Sequence, residues 1–397
     1  MRKKAIFLIL FVAIGGVLFA QTPVLHEVET DHYRVLSEVS EQHASETAQK
    51  LEALLELYND FFHFDIDSLP TNLKVRIFNS KERFDRYLTR IIDSTRDDFI
   101  YLHYTDLEKS ELVGFVMEDE AEFHASLNHQ NFIQYLRAFV SNPPLWMREG
   151  FAVYFEATEY DPDFGSAIYR ENLAWLETLK AITDGSAGVQ PLTLGEILTM
   201  SVSEARNQID VFYPQAWGMV SFLVNTANRD HNRILWDSIS ALDPEATLSE
   251  NSTRVQQRAF RFVNEEFLVS DFVSYVNDRR SFRGLVQDGI DLYAEGDVAA
   301  AEEAFVKAIN LEDQNYIPYY YLGLINYDRR NYSLAEFYYN QALELGADEA
   351  LTYYALGVNA FADNRFDAAS TFINRTLEIS PEEYTERAEE ILARIEG

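Results

Sequence analysis

The side chains best suited to chemistry crowd into one stretch of the chain. Glu120, Glu122, His124, His129 and Glu149 lie within it, and imidazoles and carboxylates serve both as proton carriers and as metal ligands. Spacing limits what they can do together. Two imidazoles grip one Zn²⁺ from a helix when they stand four residues apart, on one face. His124 and His129 are five apart, about 140° around a helix, so they do not share a face. Glu118-Asp119-Glu120 reads as solvated surface, without the spacing of a calcium loop. There is no G-x-S-x-G, no Gly-rich phosphate loop and no cysteine. Thiol catalysis, disulfides and Cys-ligated zinc are therefore excluded.

The elements that would position these residues follow from periodicity. Residues 123–140 predict a helix carrying His129, Asn142-Pro143-Pro144 breaks it, and 145–156 predict the next helix, carrying Glu149. Upstream, 32–39 alternates as a strand. Residues 41–62 form a long amphipathic helix with Ala44, Ala48, Leu51, Leu55 and Tyr58 on its apolar side. Residues 73–78 read as a second strand, Ser80 as the cap of a short helix bearing Phe84 and Tyr87, and 99–104 and 112–117 as further strands. A small mixed sheet followed by helices is the α+β class.

The segment LNHQNFIQYLRAFVSNPPLWMREGFAVYFE, residues 127–156, resembles the zinc-dependent gluzincin peptidases, in particular the bacterial peptidase MA-like family. Those proteins carry H-E-x-x-H on a helix, a Pro-rich turn, then W-x-x-E-G-x-A-x-Y. The second half stands here as Trp146-Met147-Arg148-Glu149-Gly150-Phe151-Ala152-Val153-Tyr154, and residues 212–223 look like the family's later Y-x-x-x-W helix, with Tyr213 and Trp217. The resemblance implies a zincin-like helical domain over 21–280. It matches His129 to the first zinc ligand and Glu149 to the third. Gln130 stands where the general base should be and Ile133 where the second histidine should be. A glutamine amide cannot take a proton near neutral pH, and isoleucine has no lone pair. Two protein ligands remain where a catalytic zinc has three. The expectation is an inactive homologue in which His129 and Glu149 pair with each other, with no catalytic residue, no metal and no cofactor. The rival expectation is an active zinc peptidase with a rearranged metal site. Trp146 and Phe151 read as core.

The last third repeats. Gly289, Gly323 and Gly357 are 34 residues apart; Ala301, Ala335 and Ala369 follow each by 12, and Ala308, Ala342 and Thr376 by 19. This looks like the tetratricopeptide repeat, a helical hairpin, with three repeats at 282–315, 316–349 and 350–383 and a capping helix over 384–397. The expected architecture of 281–383 is an all-α solenoid. Its resemblance implies a partner groove lined by Val286, Ile290 and Tyr293, then Tyr320, Leu324 and Tyr327, then Tyr354, Val358 and Phe361. The occupant would be a protein or peptide segment, unless 240–280 or the cap helix fills the groove from within.

Composition sets the remaining bounds. The chain has 397 residues, 47% hydrophobic and 25% charged, with a formal charge of −32. That balance is globular, and the acidity argues against nucleic-acid binding. Residues 1–20, with Arg2, Lys3 and Lys4 before an apolar run, read as a secretory signal peptide. The expected protein is exported from a bacterium to the periplasm or beyond, without a membrane span after cleavage, and is a non-catalytic binding scaffold.

Overall fold

The computed structural model describes residues 24–396, so the signal peptide read at 1–20 lies outside the described residues. Contacts divide the chain into two units. The first runs up to Asn172 and adds Trp236–Phe260; the second comprises Leu173–Leu235 and the chain from Arg261 onward.

The first unit is built on a five-stranded mixed sheet. Its elements are β1 (His26–Glu29), β2 (Tyr33–Ser37), α1 (Glu41–Phe62), β3 (Leu73–Phe78), α2 (Lys81–Ile92), β4 (Ile100–Leu102), β5 (Glu111–Phe115), α3 (Glu120–Phe139) and α4 (Leu145–Phe155). A separate hairpin, β6 (Glu159–Asp161) with β7 (Ser166–Ile168), follows. The sheet order is β1-β2-β3-β5-β4, parallel in its centre and antiparallel at both edges. Helix α1 forms as expected: the Ser40 side chain accepts from the His43 amide, and Ala44, Ala48, Leu51, Leu55 and Tyr58 are fully buried. Against it packs an aromatic core, with Tyr58 5.2 Å from Phe132 and 4.9 Å from Phe155 between ring centres. Trp146 and Phe151 are in the core as well.

Three local expectations need correction. Ser80 sits at the N-cap of α2 in extended geometry, but its side chain makes no capping bond. The strand at 99–104 shrinks to Ile100–Leu102. Strand β1 was not expected, because HEVE has a single apolar residue and so no hydrophobic alternation; backbone pairing with β2 holds it.

The second unit is helical: α5 (Leu176–Thr183), α6 (Leu194–Thr199), α7 (Val202–Asn207) and α8 (Ile209–Asn225) come first. Helix α9 (Arg229–Ser240) spans the division and α10 (Leu248–Val255) belongs to the first unit, after which α11 (Glu265–Asp278) resumes the second. The contact division thus does not fall at 280, the boundary expected from the sequence. Residues 173–235 and 261–280 cluster with the repeats because α5 joins them: Lys180 Nζ donates to the Arg279 carbonyl at 2.7 Å and Ser281 Oγ to Glu177 at 2.8 Å. A glycine at 218 lets α8 approach α5 and α11, since a Cβ there would lie 2.4 Å from Leu179.

Six repeat helices follow as hairpins: α12 (Phe282–Glu295) with α13 (Val298–Leu311), α14 (Tyr316–Asp328) with α15 (Tyr332–Glu344), and α16 (Glu349–Ala362) with α17 (Phe366–Ile379). The periodic small residues are where the helices touch. A Cβ on Gly289, Gly323 or Gly357 would lie 2.8, 2.5 or 2.6 Å from Phe305, Tyr339 or Ile373, always the residue sixteen positions on. Ala301, Ala335, Ala369, Ala308, Ala342 and Thr376 are fully buried. The repeats resemble a tetratricopeptide solenoid. Helix α18 (Pro381–Glu396) closes them, three residues earlier than the expected 384.

Candidate functional site

Helices α3 and α4 carry the residues singled out for chemistry. Asp119 caps α3 by accepting from the Ala121 and Glu122 amides. Buried amides then lock its position: Asn128 donates to the carbonyls of Glu156 and Thr158 at 2.9 and 2.8 Å, Tyr33 donates to Asn131 at 2.8 Å, and Gln134 donates to the Lys74 carbonyl at 2.9 Å. These bonds use one end of each amide, the Asn128 and Gln134 nitrogens and the Asn131 oxygen, while the other end of each is buried without a hydrogen bond among the described residues.

This frame places His129 between two carboxylates. Its Nε2 is 3.6 Å from Glu149 and its Nδ1 is 3.3 Å from Glu156, the latter an ion-pair contact too bent for a hydrogen bond. Arg148 Nε donates to the other Glu149 oxygen at 2.7 Å, and Asn172 donates to Glu156 at 2.6 Å. Burial alone would lower the His129 pKa, but the two carboxylates outweigh it and raise it to about 9. Burial would raise that of Glu149, but Arg148 and His129 outweigh it and lower it to about 2. At neutral pH His129 is therefore an imidazolium and Glu149 a carboxylate, with the Arg148 and Glu156 side chains beside them. Both shifts favour the charged forms, so His129 and Glu149 hold each other as an ion pair.

The other motif positions have structural roles. Gln130 Oε1 accepts from the Tyr101 amide of edge strand β4 at 3.1 Å, satisfying a group that an edge would leave to water. Ile133 is buried. His124 faces Glu120, at 3.5 Å, rather than the His129 cluster. His103 is kept neutral, its pKa pushed down to about 4 by burial and by Arg137 and Arg148. Tyr213 lies on α8 of the second unit.

A catalytic zinc does not fit these residues. A metal on His129 Nε2 could draw on Glu149, but Glu156 addresses the opposite ring nitrogen and Ile133 has no donor atom. Among the described residues no group of three or more His, Asp or Glu side chains is arranged to hold a metal ion. Sequence reasoning paired His129 with Glu149 but missed Glu156 and Arg148. One signal was there: Glu149 on α4 and Glu156 at its C-cap are seven residues apart, two helical turns along one side.

The nine groove positions lie in the seams of the repeat stack. Val286 is buried and the other eight are half-buried. Val286 and Ile290 pack with Ile317 of the next hairpin, and Tyr320, Leu324 and Tyr327 pack around Tyr339 and Leu356. Tyr293 donates to Asp328 at 2.8 Å. Tyr354, Val358 and Phe361 pack against α18, around Ala388 and Ile391, with Arg394 over the Phe361 ring. Helix α18 thus takes the place of a fourth first helix and covers the third set. The more exposed apolar side chains on first helices, Tyr316 and Leu351, were not singled out from the sequence.

A family model described as "Protein of unknown function (DUF1570)" matches residues 124–242, a stretch containing His129 and Glu149. No curated protein matches. Among solved structures, "First TPR of Spaghetti (RPAP3) bound to HSP90 peptide SRMEEVD" is similar at 20% identity, over 29% of this chain and 90% of that one, with a TM-score of 0.27. "MamA 41-end from Desulfovibrio magneticus RS-1" is similar at 18% identity, over 43% and 95%, with a TM-score of 0.26. Neither the family description nor these titles names a peptidase.

Proposed function

We propose that this protein is an exported, non-catalytic scaffold, in which a pseudo-metallopeptidase unit accompanies a repeat array that captures an extended segment of another protein. The observation that carries the binding role is the row of first helices α12, α14 and α16, with half-buried aromatic and aliphatic side chains along it and the third set already covered by α18. The open surface is then the first two sets, flanked by Tyr316 and Leu351. Such a surface suits an apolar stretch of a partner. The non-catalytic role is supported by Gln130, Ile133 and the charge-locked His129–Glu149 pair. Export is supported by the pattern of residues 1–20. No helix among the described residues is long and apolar enough to cross a membrane.

The binding role is tested by capturing partners from a periplasmic extract with the full chain and with the double variant Tyr316→Glu, Leu351→Glu. Retained capture by the variant sinks the groove assignment. The non-catalytic role is tested by elemental analysis and a peptide-library digest. One tightly held zinc per chain, lost together with peptidase activity on chelation, defeats it.

A further inference from the structure

The second unit contains a cavity of about 360 Å³ whose lining includes neither the His129 cluster nor the nine groove positions. The loop between α5 and α6 and the first residue of α6 form one wall, with Leu192 and Leu194. Helix α8 supplies Met219 and Phe222, and α11 supplies Leu268 and Phe272. Its size falls in the range of small-molecule sites, roughly 300–1,000 Å³.

The polar side chains of the lining show what it can accept. Gln215 is used at both ends: its Oε1 accepts from the Leu192 amide at 2.8 Å and its Nε2 donates to the Leu192 carbonyl at 3.2 Å. Thr183 Oγ1 donates to the Lys180 carbonyl at 3.0 Å, and Thr193 Oγ1 donates to Glu196 at 2.7 Å. Each is turned to the protein's own backbone or caps. Water inside would find few partners, and an apolar group displaces it favourably. Glu265 is different. It is the first residue of α11, exposed, and makes no hydrogen bond or ion pair among the described residues. The loop wall turns through Gly185 and Gly188, whose φ values of +80° and +69° suit glycine, and the Gln215 clamp fixes its far end.

We propose that this cavity binds the alkyl chain of a cationic amphiphile, the chain inside and the ammonium-type head at Glu265. A hydrocarbon chain makes no demand that the satisfied lining cannot meet. A carboxylate at the mouth of an acidic protein attracts a cation and repels a fatty-acid anion. The proposal is independent of the repeat groove and of His129.

The test uses the full chain with the uncharged fluorophore Nile red as probe, displaced in turn by dodecylammonium, dodecanol and dodecanoate. The expected result is saturable binding of one probe per chain, with displacement strongest for dodecylammonium and weakest for dodecanoate. Val269 lines the cavity and is 44% exposed, so Val269→Trp narrows it without crowding the core. That variant is expected to weaken the probe by about tenfold. Glu265→Gln is expected to retain the probe and to bring dodecylammonium and dodecanol to equal potency. Absent saturable binding, or binding unchanged in Val269→Trp, overturns the site. Equal potency of dodecylammonium and dodecanol in the unmodified chain overturns the head assignment.

Discussion

The His129 cluster and the repeat array hold together by opposite means. In the first, buried charge is arranged so that each ion has a partner: His129 with Glu149 and Glu156, Glu149 with Arg148. In the second, side chains are removed rather than matched, and Gly289, Gly323 and Gly357 make room for Phe305, Tyr339 and Ile373. The difference teaches where each region is fragile. A charge network fails when one member is deleted, whereas a stack of close helices fails when an atom is added.

The sharpest break is His129→Ala. It leaves Glu156 without its cation in a half-buried site and takes one cation from Glu149, and should cost about 3–5 kcal/mol, read by urea denaturation of the full chain. A loss under about 1 kcal/mol means the pair is not buried in solution. The pH dependence of the same network comes next. The raised His129 pKa contributes stability that is complete below its unfolded value of 6.5 and is lost as pH rises through about 9. Glu149 contributes stability that is complete above its unfolded value of 4.5 and is lost as pH falls through about 2. Thermal melts should therefore peak between 4.5 and 6.5, with about 3 kcal/mol lost on the alkaline side. His129→Ala should flatten that alkaline slope, and an unchanged slope places the titrating group elsewhere.

On the other side of the comparison, Gly323→Ala adds one methyl 2.5 Å from the Tyr339 ring. It should cost about 1–3 kcal/mol by overpacking, although the same change at an open helix position stabilises. A stabilised variant would show that the hairpin is looser than described. Gln130→Leu removes one hydrogen bond to the Tyr101 amide. It should cost about 1 kcal/mol and speed hydrogen exchange at that amide; it should create no new activity. Smallest of all is Thr376→Ala. Thr376 is buried with its hydroxyl on the Phe372 carbonyl, and alanine is what the other two repeats carry there. A change within about 0.5 kcal/mol is expected.

Much of this was legible beforehand. Alternation and helical period located α1, β3, α3 and α4 to within a few residues, because each has one wet and one dry face. The 34-residue period placed every hairpin, since each repeat must bury the same face against the next. The misses have a common cause. Strand β1, the hairpin β6–β7 and the N-cap of α2 depend on backbone partners and side-chain orientation, which leave little trace in residue type. The clustering of α5 with the repeats has a similar origin, since Lys180 and Glu177 tie α5 to residues about a hundred positions away.

Residue identity alone determined that His129 stands without a second histidine, that Gln130 cannot act as a base, and that glycine recurs every 34 positions. Folding decided that Glu156 and Arg148 complete the charge cluster, that α18 covers the third set of groove positions, and that Gln215 seals its own amide beside an apolar cavity. The first kind of knowledge concerns which atoms exist and can be read along the chain. The second concerns which distant atoms come within a few ångströms, and that is set by packing rather than by order.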